Sequence, residues 1–191
     1  MSGIEGTLSP HLQQEMSVDE IVMSGDGDKK TLQEKSRHYI TQGGLAIEVG
    51  TWAGESAEII ASVCRERNAR LVCIDSFGGN ALAYDTPKTE VLAIVMKRLA
   101  GYPVDFMVGN STDIVRYLGN CLADFIFIDG DHTFPVVESD IRSYWDKLKI
   151  GGGFLMHDYT NPCDVKAACD SFFGINRVIH LPDCMGFVEK S

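Results

Sequence analysis

The sequence has no uncharged apolar run of about 18 residues, the length a membrane-spanning helix requires. Met1 to Pro10 also lacks the basic start and apolar stretch of a secretory signal. A soluble, cytoplasmic protein is the expectation. Basic residues are scarce, with 17 Lys and Arg against 27 Asp and Glu and a formal charge of −10. That balance repels phosphate backbones and anionic lipid surfaces, so neither nucleic acid nor a membrane is an expected partner. The six cysteines, Cys64, Cys73, Cys121, Cys163, Cys169 and Cys184, contain no Cys-x-x-Cys pair, and several fall within apolar runs. They read as reduced thiols and not as a disulfide frame or a zinc knuckle. No internal repeat or low-complexity segment is present. What remains is 191 residues, 45% apolar and 23% charged, the composition of one globular domain with an added arm and a chain able to bury a sizeable core.

Residues 1 to 43 are expected to form that arm, an N-terminal lid with one helix, and residues 44 to 191 the main domain. Ser24-Gly25-Asp26-Gly27-Asp28 is a turn-forming string. Asp26 and Asp28 have the alternation of a calcium loop without its remaining ligand positions, which favours a solvated turn. Leu32, Ser36, Tyr39 and Ile40 share a helical face that Gly43-Gly44 ends. Beyond Gly44 short β-type runs alternate with amphipathic helices, the pattern of a doubly wound α/β sheet covered on both faces. The expected strands are Leu45 to Gly50, Arg70 to Asp75, Val104 to Val108, Asp124 to Asp129 and Gly153 to His157. Helices are expected near Glu55 to Arg67, Pro87 to Ala100, Thr112 to Gly119 and Pro135 to Leu148. The last carries Val137, Ile141, Tyr144, Trp145 and Leu148 as a core-facing stripe. Asn161-Pro162 fits the start of a fifth crossover helix. Arg177 to Leu181 and Met185 to Glu189 are joined too closely for a parallel crossover, so they form an antiparallel hairpin. Seven strands result, five parallel and a terminal pair.

Open α/β sheets bind ligands beyond the carboxyl ends of their strands, and here those ends are polar. The first runs Glu48-Val49-Gly50-Thr51-Trp52-Ala53-Gly54-Glu55-Ser56, a strand entering a glycine turn and a helix. Gly50 and Gly54 let backbone pass close to a ligand, and the helix start offers free N–H groups. The Gly-x-Gly-x-x-Gly dinucleotide fingerprint is absent, and Glu48 repels phosphate. A cationic ligand with hydroxyls and an amine, such as S-adenosylmethionine, suits the loop; a turn that merely joins strand to helix has the same pattern. The second strand ends at Asp75, where a ribose diol would find two acceptors; a solvated or capping Asp is the alternative. The third leads into Gly109-Asn110-Ser111, suited to an adenine edge or to capping the next helix. The fourth runs from four apolar residues into Asp129-Gly130-Asp131-His132, and the fifth ends Met156-His157-Asp158-Tyr159. Neighbouring strands lie roughly 4.8 Å apart, so Asp129 and Asp158 can meet on one ion beside His157.

These motifs resemble the class I S-adenosylmethionine-dependent methyltransferases, in particular the small O-methyltransferases. The block from Glu48 to Ser56 is similar to the glutamate-glycine loop of catechol O-methyltransferase relatives. The block from Phe127 to Tyr159, with Ile-Asp-Gly-Asp-His, Trp145-Asp-Lys-Leu-Lys-Ile-Gly-Gly and His-Asp-Tyr, resembles the methyltransferase domain 24 family and the sugar O-methyltransferases of macrolide and aminocoumarin biosynthesis. The likeness covers about Gly44 to the C-terminus. It implies a Rossmann-like fold, Glu48, Gly50, Thr51, Gly54 and Ser56 around the methionine end of the donor, Asp75 on the ribose and Ser111 near the adenine. It also implies Asp129 and Asp158 as ligands of a divalent ion, magnesium or manganese. The His157 position, usually acidic in those sugar enzymes, would bind it too; imidazole shifts the preference toward softer ions. The proton acceptor falls at Asp131 in some relatives and at His132 in others, and both are present. The acceptor is then a small molecule, a sugar vicinal diol or a catechol, whose paired oxygens chelate the ion. Three rivals remain: a metal-dependent hydrolase using His132, Asp129, His157 and Asp158, which leaves Glu48 and Asp75 unused; a silent methyltransferase-fold binding protein; and, last, a nicotinamide oxidoreductase. A homo-oligomer stays open.

Overall fold

A computed structural model describes residues 25–78, 88–161 and 163–191. The arm before Gly25, most of the loop from Phe77 to Pro87, and Pro162 lie outside the described residues. In chain order the elements are α1 (Asp26–Tyr39), β1 (Leu45–Val49), α2 (Glu55–Glu66), β2 (Arg70–Asp75), α3 (Lys88–Arg98), β3 (Val104–Val108), α4 (Ser111–Ile114) with a tighter 3-10 turn at Val115–Leu118, β4 (Ala123–Ile128), α5 (Phe134–Trp145), β5 (Leu148–Met156), α6 (Val165–Phe173), β6 (Ile179–His180) and β7 (Gly186–Glu189).

The sheet order is β3-β2-β1-β4-β5-β7-β6, with the first five strands parallel and β7 antiparallel to both neighbours. The expected seven-stranded, doubly wound α/β fold with its C-terminal hairpin is present. Strand alternation divides the core in two. Ala46, Phe125, Phe127 and Leu155 face α1, α2 and α3, whereas Ile47, Ile126, Ile128, Phe154 and Met156 face α5 and α6. All six residues of β4 are buried, and each large apolar side chain sealed there contributes roughly 1.5 to 3 kcal/mol.

Three local expectations need correction. Leu148 leaves the α5 stripe and begins β5, opposite Ala123, because the helix stops at Trp145. Thr112 to Gly119 is one short α-turn followed by a 3-10 turn, since few of its residues find a buried face. Asn161 does not start α6; that helix begins at Val165.

Helix α1, which falls within the expected arm, packs against the rest of the chain. In α1, Leu32 is 2% exposed, and Ile40 just beyond its end is 1%. Tyr39 lies flat against β5, where a Cβ on Gly153 would sit 2.6 Å from its ring. At the end of the sheet opposite the carboxyl ends of the parallel strands, buried Asp124 accepts from the Thr41 N–H and hydroxyl and pairs with Lys149 at 2.5 Å. These contacts hold its carboxyl below the ordinary range although burial alone would raise it. Packed in this way, the helix carries its first turn to the functional end of the sheet.

Candidate active site

Five parallel strands finish at one edge, and the crossovers from β1 and β4 leave toward opposite faces. A cleft of about 560 Å³ opens at this switch point. It is lined by Gly50, Thr51, Gly54, Ser56, Asp75 and Ser111 toward one end and by Asp129, Asp131, His132, His157 and Asp158 toward the other. The fold thus brings together the site residues read from the sequence, with Glu48 as the exception.

Glu48 is fully buried and does not line the cleft. It sits one position before the strand end, in register with Cys73 and Phe127, so alternation turns it under the start of α2. Burial pushes its carboxyl up from 4.5 to about 8 against the opposing pull of Ser56 and Thr51. The folded protein therefore keeps this proton in a pH range where the unfolded chain has lost it. With fewer protons on the unfolded state, stability falls as pH rises through that window, by at most about 1.4 kcal/mol per pH unit. Glu48→Gln should flatten this part of the stability profile of the ligand-free protein. Denaturant melts at stepped pH check it; parallel profiles for the two proteins would contradict the assignment.

The glycine loop is shaped by packing. Gly50 has φ +88, and a Cβ there would lie 2.1 Å from the Asp129 carbonyl oxygen, so no other residue lets the β1 and β4 ends approach this closely. Arg98 of α3 donates to the Ala53 carbonyl at 2.9 Å, and Lys29 of α1 pairs with Glu55 at 2.6 Å. Asp75 accepts from the Trp52 N–H at 2.7 Å and the Phe77 N–H at 2.6 Å. It fastens the loop and still faces the cleft.

At the other end the β-ladder continues past the strands, with Asp129 N–H on the Val49 carbonyl and His157 N–H on that of Ile128. Consecutive residues in a strand point to opposite faces, yet His157 and Asp158 both turn to Asp129. Asp158 does so by adopting φ +56, an uncommon conformation for a residue with a side chain and one that stores strain. His157 Nδ1 lies 3.3 Å from Asp129 Oδ1 and 3.2 Å from Asp158 Oδ2. His132 Nε2 lies 2.6 Å from Asp158 Oδ2 and 4.0 Å from Asp129 Oδ1. One ligand atom each from Asp129, His132 and Asp158 falls within 4.8 Å of the others. His132 thus joins the candidate donor set that the sequence assigned to Asp129, His157 and Asp158.

The electrostatics follow from this crowding. Burial opposes the His157 cation, but Asp129 and Asp158 outweigh it and raise its pKa to about 11. Asp158 also pulls His132 above the usual imidazole value. Burial raises Asp129, while the two imidazoles overcome burial at Asp158 and hold that carboxyl well below the usual range. Asp131 is engaged away from this cluster. Its Oδ1 accepts the Thr133 N–H at 2.7 Å and the Thr133 hydroxyl, closing the turn into α5.

Three residues carry contacts that the sequence pattern did not reveal. Asp28, read as a solvated turn, opens α1 with its side chain 14% exposed and Oδ2 3.6 Å from His157 Nε2. Acidic residues at a helix start were a signal for the helix, but nothing local pointed to a histidine just past the end of β5. Asn161, read as a cap, donates its amide to the Asp158 carboxylate. Asp140 stands on the buried face of α5 beside Val137, Ile141 and Tyr144, and this polar break in an apolar stripe is the signal that could have found it.

Known proteins share this fold. CalS11, a TDP-rhamnose 3'-O-methyltransferase of calicheamicin biosynthesis, superposes with a TM-score of 0.65 at 15% identity over 85% of this chain and 78% of its own. The SAH-bound methyltransferase PaMTH1 of Podospora anserina gives 0.68 at 15% over 88% and 80%. The O-methyltransferase TomG of Streptomyces achromogenes, solved with SAM, gives 0.65 at 18% over 88% and 82%. At these identities the likeness establishes the fold. The family itself is established by sequence: residues 47–159, from the strand before the glycine loop to the His157-Asp158-Tyr159 end of β5, match the family described as a methyltransferase domain. With more than half of the chain inside that match and a switch-point cleft at its centre, the chain belongs to the methyltransferase domain family and has the fold of a class I methyltransferase.

Proposed function

We propose that the protein moves a methyl group from S-adenosylmethionine to a hydroxyl of a small molecule carrying two neighbouring oxygens, such as a sugar vicinal diol or a catechol, with a divalent ion, magnesium or manganese, at the carboxylate end of the cleft. The observation that carries this reading is one cleft with two unlike ends. The glycine loop and Asp75 suit a nucleoside with a cationic tail, and a convergent pair of carboxylates flanked by imidazoles suits a cation and an oxygen acceptor.

The donor set fits a divalent ion, because Asp129 and Asp158 already converge and the flanking groups are nitrogen bases. Asp129, Asp158 and His157 would hold it, which leaves His132, the third member of the close Asp129–His132–Asp158 group, for proton transfer. When bound, it supplies a positive charge that lowers the pKa of a chelated hydroxyl. The protein's own residues do the rest. Asp75 fixes the ribose, the glycine loop admits the methionine end past Gly50, and the cleft aligns donor with acceptor. His132 accepts the acceptor's proton at Nε2. Its side chain is 37% exposed against 14% for His157, although Nε2 itself is buried against Asp158 Oδ2 at 2.6 Å and must turn from that carboxylate to receive the proton. Asp131 is the weaker choice as base, since its carboxylate is engaged by Thr133. The chain's net charge and the acidic cleft favour a small acceptor over a polyanion.

Calorimetry with S-adenosylmethionine and S-adenosylhomocysteine tests the donor. Both should bind, and Asp75→Ala should weaken binding by about 1 to 3 kcal/mol, the range for losing hydrogen bonds to a charged group. No heat and no thermal shift at millimolar donor would overturn the reading.

A further inference from the structure

Helix α1 reaches the strand ends through its first turn, and the reaction above gives that turn no part. Packing on both sides fixes it. A Cβ on Gly27 would overlap the Asp183 carboxylate, so the helix start rests against the β6–β7 turn only because a glycine stands there. Lys29 pairs with Glu55 at the start of α2 at 2.6 Å. Between these anchors Asp28 points to His157, with Oδ2 3.6 Å from Nε2 and both side chains 14% exposed. Asp28 Oδ1 and His157 Nε2 are buried, and neither has a hydrogen-bond partner among the described residues. Leaving a buried acceptor and a buried donor unmatched side by side is costly for both. Closing 3.6 Å to the roughly 3 Å of an N–H···O bond takes only a small rotation of either side chain.

An imidazole has two nitrogens, and those of His157 meet different partners. Nδ1 faces the carboxylates that would share the ion, 3.3 Å from Asp129 and 3.2 Å from Asp158, while Nε2 faces Asp28. A ring that gives one nitrogen to a metal keeps its proton on the other, and a carboxylate that receives this N–H sets both the tautomer and the plane of the ring. We infer that Asp28 is a positioning residue for the metal centre: it accepts the His157 Nε2–H and so holds the ring with Nδ1 turned to the ion. The inference rests on the metal reading above and adds a residue that reading does not contain. It gives α1 a task in a site otherwise built at the ends of β4 and β5.

Two measurements on the full chain test it, calorimetric titration of the metal-stripped protein with Mn2+ and NMR of the imidazole nitrogens with Mg2+ bound. In the wild type the His157 ring should carry its one N–H at Nε2, with Nδ1 unprotonated. Asp28→Ala should weaken Mn2+ binding by about 10- to 100-fold, the loss that follows when the outer partner of a metal-bound histidine is removed, and the ring should lose its fixed tautomer. Asp28→Asn keeps an acceptor oxygen at the same reach, so it should retain the Nε2–H form and lose less affinity. A His157 ring protonated at Nδ1 in the Mg2+-loaded wild type overturns the inference without need of any variant. A purely structural Asp28 would lower the melting temperature of Asp28→Ala and leave Mn2+ affinity and tautomer in place, and that result overturns it too. If Asp28→Ala does not fold, the wild-type tautomer and Asp28→Asn decide. A wild type that binds no Mn2+ would instead overturn the metal reading, and this inference with it.

Discussion

Excess EDTA should reduce methyl transfer to background while leaving S-adenosylmethionine binding intact. The expectation comes from the separation of the cleft's two ends. Asp75 hydrogen-bonds the glycine loop on one side, whereas Asp129 and Asp158 sit on the other with side chains 24% and 15% exposed around shared imidazoles. Two carboxylates this close repel unless cations lie between them; His132 and His157 fill that role in the free protein, and a divalent ion does so with more charge. Without the ion an aliphatic hydroxyl keeps its ordinary pKa, and each unit not gained costs about tenfold in the ionised acceptor at a given pH. Asp158→Asn should therefore resemble chelation, with high metal concentration restoring part of the rate. Initial rates with and without EDTA, beside donor calorimetry in the same buffers, give the answer. Full turnover in excess chelator would return Asp129 and Asp158 to a structural role.

His132→Ala should lower the rate by about a hundred-fold or more with donor affinity almost unchanged, the loss expected when a positioned base is removed. His132 can accept a proton only when neutral, and Asp158 raises its pKa. Activity should rise with pH through the imidazole range of about 6.5, because an ion shared by Asp129 and Asp158 would offset the carboxylate pull that raises His132 in the metal-free protein. Asp131→Asn should cost less, mainly by loosening the turn held through Thr133. Single-turnover rates from acid to alkaline pH with a known acceptor decide between them. A rise of the same shape and position in His132→Ala would exclude His132 and shift the role to Asp131.

Much of the fold was legible because period-two and helical hydrophobic patterns report burial directly. β4, with Phe125, Ile126, Phe127 and Ile128 running into Asp129, reads as a fully buried strand ending in a site, and it is a buried strand that ends at the cleft. The closeness of the β6–β7 link determined their antiparallel pairing. Boundaries were harder where a residue's pattern suited two neighbours: Leu148 continues the α5 stripe in sequence but fills a core position on β5. Asp26 to Asp28 resembled a turn because glycine and aspartate are common in turns, and only packing of Leu32 and Ile40 pulls that segment into a helix.

The sequence by itself determined the family, the parallel order of strand and helix, and the chemical inventory at the strand ends, because each is written in local pattern and residue type. Only tertiary structure decided how that inventory is arranged. Alternation in β1 buries Glu48 beneath the loop, whereas the left-handed turn at Asp158 brings two successive side chains to one place. Packing of α1 carries Asp28 to His157, and α5 delivers Asp140 to Ser111. These pairs are distant in the chain, and their meeting depends on register, crossover and side-chain direction, which no local pattern encodes.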